Sequence, residues 1–156
     1  MDRIDKKILE ILQTDGRISN QDLADRVALS PSPCLRRVKQ LEDDGYIKHY
    51  VALLDPNKIN LQLTIIVTVG LDNHDAANMQ HFEETIQNYP EIVQCYLIAG
   101  QAADYLLKVV VPDLAAYEYF LLKKLTSIKG VAQVHSSFVL RRIIDTTHLP
   151  LDQCEM

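Results

Sequence analysis

The sequence predicts an α+β chain in two parts, three short helices followed by strands and helices in the order β-α-β-β-α-β. Three observations predict it. Apolar residues recur at helical spacing through the first fifty positions, each run bounded by a cap or a glycine. Beyond Pro56 the pattern changes to four β-branched, apolar runs. Helical segments separate the first run from the second and the third from the fourth.

From Asp2 to Thr14, Ile4, Ile8, Ile11 and Leu12 form one stripe, and Asp15-Gly16 is expected to stop the helix at glycine. Ser19 offers a capping hydroxyl ahead of Leu23, Ala24 and Val27, which predicts a short second helix interrupted at Leu29. Ser30-Pro31 then starts a third helix, with proline at a first helical position where its missing N–H costs nothing. This helix is expected to reach about Asp44. At about 100° per residue, Cys34, Leu35, Val38 and Leu41 fall inward, and Ser32, Pro33, Arg36 and Gln40 fall outward. Arg37 and Lys39 flank the outward face. From Ser30 to Leu41 three residues are basic and none is acidic, so a surface facing phosphates or a groove is electrostatically feasible. Charge alone fits a merely solvated helix equally well.

Two helices joined by a tight turn behind a scaffold helix read as a helix-turn-helix, and Gly45 to Ala52 is expected to add a strand or small hairpin, its wing. The candidate DNA contacts are Ser30, at the helix start, with Ser32, Pro33, Arg36 and Gln40 toward the groove and Arg37, Lys39 and Lys48 toward phosphates. For Lys48 and His49, a charged edge strand is the plainer alternative.

Leu54 to Lys58, with proline after Asp55, marks a boundary. The expected division is residues 1–53 as the winged helix-turn-helix, 54–60 as linker and 61–156 as the second domain. Leu61 to Leu71 reads as the first strand, Asp72 to about Asn88 as a helix limited by Pro90, and Glu91 to Ala99 as the second strand. Gly100 to Asp104 is a turn. Tyr105 to Val111 follows as the third strand, a helix runs from Pro112-Asp113 to about Ser127, and Lys129-Gly130 opens a fourth strand from Val131 to about Ile144. The repeated strand-helix-strand unit predicts a ferredoxin-like fold, which by itself selects no function. On the third strand Tyr105, Leu107, Val109 and Val111 share one face, while Leu106 and Val110 flank Lys108 on the other. Helices cover only one face. A second copy's sheet is the expected cover for the other, giving an obligate dimer, since Leu149-Pro150-Leu151 of the chain's own tail reaches only part of it.

With 156 residues and 47% hydrophobic content, the chain can bury one good core or two small ones. Residues 1 to 50 carry nine basic and nine acidic residues, and the remaining 106 carry seven and twelve, so the net charge of −5 belongs to the second part. An acidic whole therefore does not argue against DNA binding by the first part. Three cysteines, Cys34, Cys95 and Cys154, lack paired short spacing, which argues against a disulfide framework or zinc module and for a reduced, cytoplasmic setting. The charged N-terminus is not that of a signal peptide, and no run is long enough to span a membrane.

The whole chain resembles the Lrp/AsnC (feast/famine) family of transcription regulators from Asp2 to about Leu149. The resemblance rests on Asp2-Arg3-Ile4-Asp5, Asp15-Gly16-Arg17-Ile18-Ser19-Asn20, Leu29-Ser30-Pro31-Ser32-Pro33-Cys34-Leu35-Arg36-Arg37-Val38, Leu41-Glu42 with Gly45-Tyr46-Ile47, and Gly100 with Asp104-Tyr105-Leu106-Leu107. It implies a DNA-binding regulator whose second domain binds an amino-acid effector, with dimers assembling to octamers. Leucine or methionine is the favoured effector, among family effectors that also include asparagine and lysine. It further implies that His135, Ser136 and Ser137 face the effector pocket formed by Gly100, Gln101, Ala102, Asp104 and Tyr105, often from a neighbouring dimer.

Chemistry supports part of that site. A free amino acid needs an anion or carbonyl for its ammonium and backbone donors for its carboxylate. The Gly100 to Asp104 turn can offer both, although an ordinary hairpin turn favours the same residues. It holds three residues between Gly100 and Asp104, where two are expected in leucine-responsive members.

Other chemistry is poorly represented. His74 and His81 share a helical face without further ligands close in sequence, no nucleophile elbow is present, and the five glycines are scattered singly. Neither an enzyme nor a cofactor or metal is expected. The competing reading is a ligand-sensing or assembly subunit of amino-acid metabolism that binds no DNA, from which the basic Arg36, Arg37 and Lys39 distinguish this chain.

Overall fold

A computed structural model describes residues 1–100 and 103–153. The chain divides into two compact units, Met1–Leu53 with the tail from Ile144, and Leu54–Ile143.

In the first unit α1 spans Arg3–Thr14, α2 Asn20–Val27 and α3 Pro31–Asp43. Asp2 caps α1 by accepting from the N–H groups of Ile4 and Asp5, and Asp5 returns the bond by accepting from Asp2 N–H at 2.8 Å. α1 ends at Asp15-Gly16 as expected, with Asp15 as its C-cap, and Gly16 also lets the Tyr50 ring approach within 3.2 Å of where a Cβ would stand. Ser19 Oγ caps α2 as expected. The break after α2 lies at Ala28, which adopts the left-handed conformation at φ 57°, one residue before Leu29. Pro31 opens α3, and Ser30 sits at its N-cap in extended conformation without a side-chain cap bond. Ile8, Leu23, Ala24, Val27, Cys34 and Leu41 form the buried core.

Two expectations for this unit fail. Leu35 is 57% exposed, because it lies at the edge of the inward arc and α1 and α2 cover only the Cys34–Leu41 side. Tyr46 to Leu53 forms no strand; it has no ladder partner among the described residues. The segment is instead held to the helices by Ile47 N–H donating to Leu41 O at 3.2 Å and Tyr50 Oη–H to Glu42 Oε1 at 3.0 Å. Burial, reinforced by Glu42, pushes the Tyr50 phenol up to about 12. The described part of the tail packs on α1. Gln13 pairs with both backbone groups of Leu149, at 2.7 and 3.2 Å, and Lys6 reaches Asp152 at 3.4 Å.

The second unit follows the expected order: β1 Leu63–Leu71, α4 Ala76–Ile86, β2 Ile92–Leu97, β3 Tyr105–Val111, α5 Leu114–Tyr119 and β4 Val131–Phe138. The sheet order is β2-β3-β1-β4, all neighbours antiparallel. Asp75 and Asp113 cap α4 and α5. Beyond Tyr119, α5 widens into π-helical turns over Phe120–Leu125, where Thr126 N–H donates to Leu121 O five residues back. β4 stops at Phe138 rather than Ile144, because Phe138 pairs with Ile65 near the start of β1 and the sheet offers little further edge; Leu140 is already 97% exposed. Ile65, Val67, Val69, Tyr105, Leu107, Val109 and Val111 pack on Phe82, Tyr117 and Phe120 from the helices. The opposite sheet face carries Leu106, Lys108 and Val110, half-buried beside Ile66 and Thr68.

Candidate functional site

On α3 the buried line of Cys34 and Leu41 fixes which residues look outward. Ser32, Arg36, Lys39 and Gln40 are exposed, and Pro33 is half-buried at the margin. Gln40 Nε2 donates to Asp44 Oδ1 at 2.8 Å, so its amide is already engaged along the helix. Among the described residues the side chains of Ser30, Ser32, Arg36 and Lys39 have no hydrogen-bond or ionic partner, which leaves two cations and two hydroxyls on one surface. Lys48 is exposed on the unpaired segment after α3.

Arg37 departs from its expected place beside phosphates. Its Nη1 lies 2.7 Å from Asp2 Oδ2 and 2.7 Å from Asp5 Oδ1, the carboxylate oxygens that the α1 capping box leaves over. The Asp5 backbone N–H and then the Arg37 guanidinium hold the Asp2 carboxyl at about 2, and the two carboxylates in turn raise Arg37 above its ordinary value. Its charge is thus spent on fastening α3 to the start of α1. The Asp2-x-x-Asp5 spacing was legible as a capping box, but its two spare oxygens could be matched to Arg37 only in three dimensions.

The second cluster gathers at one end of the sheet. β3 begins opposite the last part of β1, with Tyr105 paired to Val69, so the β2–β3 turn and the loop after β1 meet there. Gly100 is exposed at φ 90°, in the left-handed region that only glycine enters freely. Asp104 closes the turn. Its N–H donates to Val69 O at 2.9 Å, its Oδ2 accepts from Leu71 N–H at 2.7 Å, and its Oδ1 lies 2.8 Å from His74 Nε2. Both carboxylate oxygens therefore already hold one donor each, which makes Asp104 a brace for the turn before any ligand arrives. His74 was missed as a partner for Asp104, since its only sequence signal was a spacing to His81. Gln101 and Ala102 lie outside the described residues.

Tyr105 does not face this surface. It is 1% exposed, its ring tilted by 38° against that of Phe82 with centroids 4.6 Å apart, and its hydroxyl donates to Glu83 Oε1 at 2.8 Å. His135, Ser136 and Ser137 are exposed on the edge strand β4, but strand alternation divides them. Ser136 turns toward the helices and meets the Tyr117 hydroxyl. His135 pairs with Thr68, Thr68 with Leu106, and Leu106 with Tyr96, so His135 lies in a row across the open face. Ser137 shares that face in the next row, beside Ile66 and Lys108.

Residues 64–149 match the Lrp/AsnC ligand binding domain, and residues 1–48 match a winged helix-turn-helix DNA-binding family. The Bkd operon transcriptional regulator of Pseudomonas aeruginosa is 44% identical over 97% of this chain and 98% of its own length. The leucine-responsive regulatory protein of Escherichia coli K12 is 40% identical over 96% of this chain and 90% of its own. Among solved structures, a Neisseria meningitidis transcriptional regulator in complex with L-Met superposes with a TM-score of 0.94 at 43% identity, covering 97% of each chain. An AsnC family regulator from Agrobacterium tumefaciens gives 0.92 at 44% identity, covering 97% of this chain and 98% of its own.

Proposed function

The chain belongs to the Lrp/AsnC family of transcription regulators, and we propose that its α3 face reads duplex DNA while the sheet end around Gly100 binds an amino acid that resets the affinity for DNA. One observation carries the first half: Ser32, Arg36 and Lys39 stand exposed on α3 without a partner among the described residues, at the spacing of a single helix face. In this reading Arg36 reaches a base edge and Lys39 and Lys48 meet phosphates, with Ser30 at the helix start and Ser32 toward the groove. Residues 1–53 form the DNA-reading module and 54–60 the linker. The tail from Ile144 works with the first module, because Leu149 and Asp152 are bound to α1.

For the second half, the exposed left-handed Gly100 supplies backbone groups, Asp104 holds them in place, and His135 and Ser137 on the open face contribute polar side chains. Leucine or methionine is the favoured effector, supported by the names of the relatives that respond to the one or were solved with the other. The open, half-apolar sheet face pairs with that of a second copy, and dimers build toward an octamer in the cytoplasm. No catalytic step is assigned to any residue.

The test joins calorimetry on leucine, methionine, asparagine and lysine to binding curves on a duplex selected by the protein from a randomised pool. One of these amino acids is expected to bind and to change DNA affinity by about 5- to 150-fold. Binding of none of them, or binding without any change in DNA affinity or assembly size, would overturn the effector reading.

A further inference from the structure

Leu35 is the large apolar side chain that α3 leaves exposed, 57% open to solvent. It does not sit on a neutral margin. Ser32, Leu35, Arg36 and Lys39 follow the i, i+3, i+4, i+7 spacing of one helix stripe, so the leucine stands among the polar and cationic groups that face DNA in the reading above, on which this inference rests. An aliphatic group in that position can neither donate nor accept a hydrogen bond. The major groove presents one apolar group on its base edges, the C5-methyl of thymine.

The start of α3 points the same way. Pro31 and Pro33 have no N–H, and Cys34 N–H already donates to Ser30 O at 3.2 Å, so Ser32 alone keeps a free amide donor in the first turn. Such a helix end is poorly equipped to hold a phosphate through its backbone. It is well suited to lie deeper in the groove, with apolar Pro31 and Leu35 against base edges. Nothing inside the unit asks for Leu35, since the core of Ile8, Leu23, Val27, Cys34 and Leu41 closes without it.

We propose that Leu35 is a specificity-determining residue that packs on the C5-methyl of a thymine next to the base read by Arg36. Hydrogen bonds from Arg36 select one base pair. Methyl contact from Leu35 then selects the neighbouring one, by excluding water from two apolar groups that a cytosine or a demethylated base would leave unpaired.

The experiment removes the methyl and nothing else. A duplex selected from a randomised pool by the full-length protein is resynthesised with deoxyuridine in place of each thymine in turn, and affinities are measured for the wild type, Leu35→Ala and Leu35→Met. One thymine per half-site is expected at which deoxyuridine weakens the wild type about 4-fold, the worth of one buried methyl-sized group. Leu35→Ala should be weakened by a similar factor on the unmodified duplex and be indifferent to deoxyuridine at that position. Leu35→Met should keep the sensitivity. If every replacement affects wild type and Leu35→Ala equally, or none costs affinity, the proposal is overturned. It is overturned equally if sedimentation shows that Leu35→Ala changes assembly size while methyl sensitivity stays intact, since the leucine would then be packing on protein. Failure to select any duplex would instead remove the DNA reading of α3, and this inference with it. Because Leu35 is exposed, an unchanged thermal melt is expected to confirm that the variants fold.

Discussion

Arg36 and Lys39 lie one turn apart on the same face of α3, yet they convey different information to a duplex. A guanidinium presents a planar fork that pairs with guanine O6 and N7, whereas an ammonium is a point charge that any phosphate satisfies. Arg36→Ala is therefore expected to lose about 1–3 kcal/mol at one base position and relax specificity there. Lys39→Ala should weaken all sequences alike and make the slope of log affinity against log salt shallower by about 1. Competition binding on single-base variants at several salt concentrations checks both, and equal losses across sequences for the two variants would refute the division. Arg37 belongs to a different test, because it is bound to Asp2 and Asp5. The Asp2 carboxyl is depressed from 3.8 to about 2, so its contribution to stability is complete above about pH 4 and is lost as pH falls toward 2. The wild type should lose more thermal stability across that window than Arg37→Ala, whose Asp2 has lost one of the causes of the depression. Parallel melting curves for the two proteins would show that the ion pairs do not stabilise α1 against α3.

At the scale of elements, the turns carry most of the departures from regular pattern. β4 begins after Gly130, whose φ of 94° is left-handed and whose missing Cβ leaves room for the Asn78 side chain. Asn78 in turn donates to Asn73 O at 2.7 Å and to Asp72 Oδ1 at 3.3 Å, tying the start of α4 to the loop beside the Asp104 turn. Gly130→Ala thus meets both strain and overlap, and should cost about 2 kcal/mol in urea unfolding. In an Asn78→Ala background the overlap is gone and only the conformational strain remains, so a smaller penalty is expected. The same penalty in both backgrounds would mean that Asn78 simply moves aside. The π-helical turns of Phe120–Leu125 serve packing, for they bring Phe120 and Leu125 into the core together.

In the whole molecule, the second sheet face is the feature that single-chain packing leaves open. Leu106 lies near its centre, between Tyr96 on one side and Thr68 on the other, and is only half-buried. A charge introduced there would be trapped between two sheets if the proposed dimer forms. Leu106→Glu is expected to weaken self-association by roughly 100-fold or more, the effect of an uncompensated buried charge. Sedimentation velocity reads the result directly. An unchanged assembly would place the dimer contact elsewhere on the chain.

Periodicity and capping chemistry in the sequence determined the three helices, the β-α-β-β-α-β order and the inward side of α3, because each depends on neighbours within a few residues. Ser19 and Pro31 announced their helices by that local logic. The basic α3 face and the Gly100 turn were visible for the same reason. Tertiary structure alone decided what those residues are free to do. Arg37 is consumed by carboxylates 32 and 35 positions away, and Asp104 is occupied by a backbone N–H and a histidine 33 and 30 positions away. Leu35 reads as core in a helical wheel but is left outside, since burial requires a neighbour to cover the surface and α1 and α2 stop short of it. The strand expected over Gly45 to Ala52 and the far end of β4 lack a ladder for a related cause: a strand exists only where a second backbone lies alongside to share its hydrogen bonds, and no property of the segment itself supplies that partner.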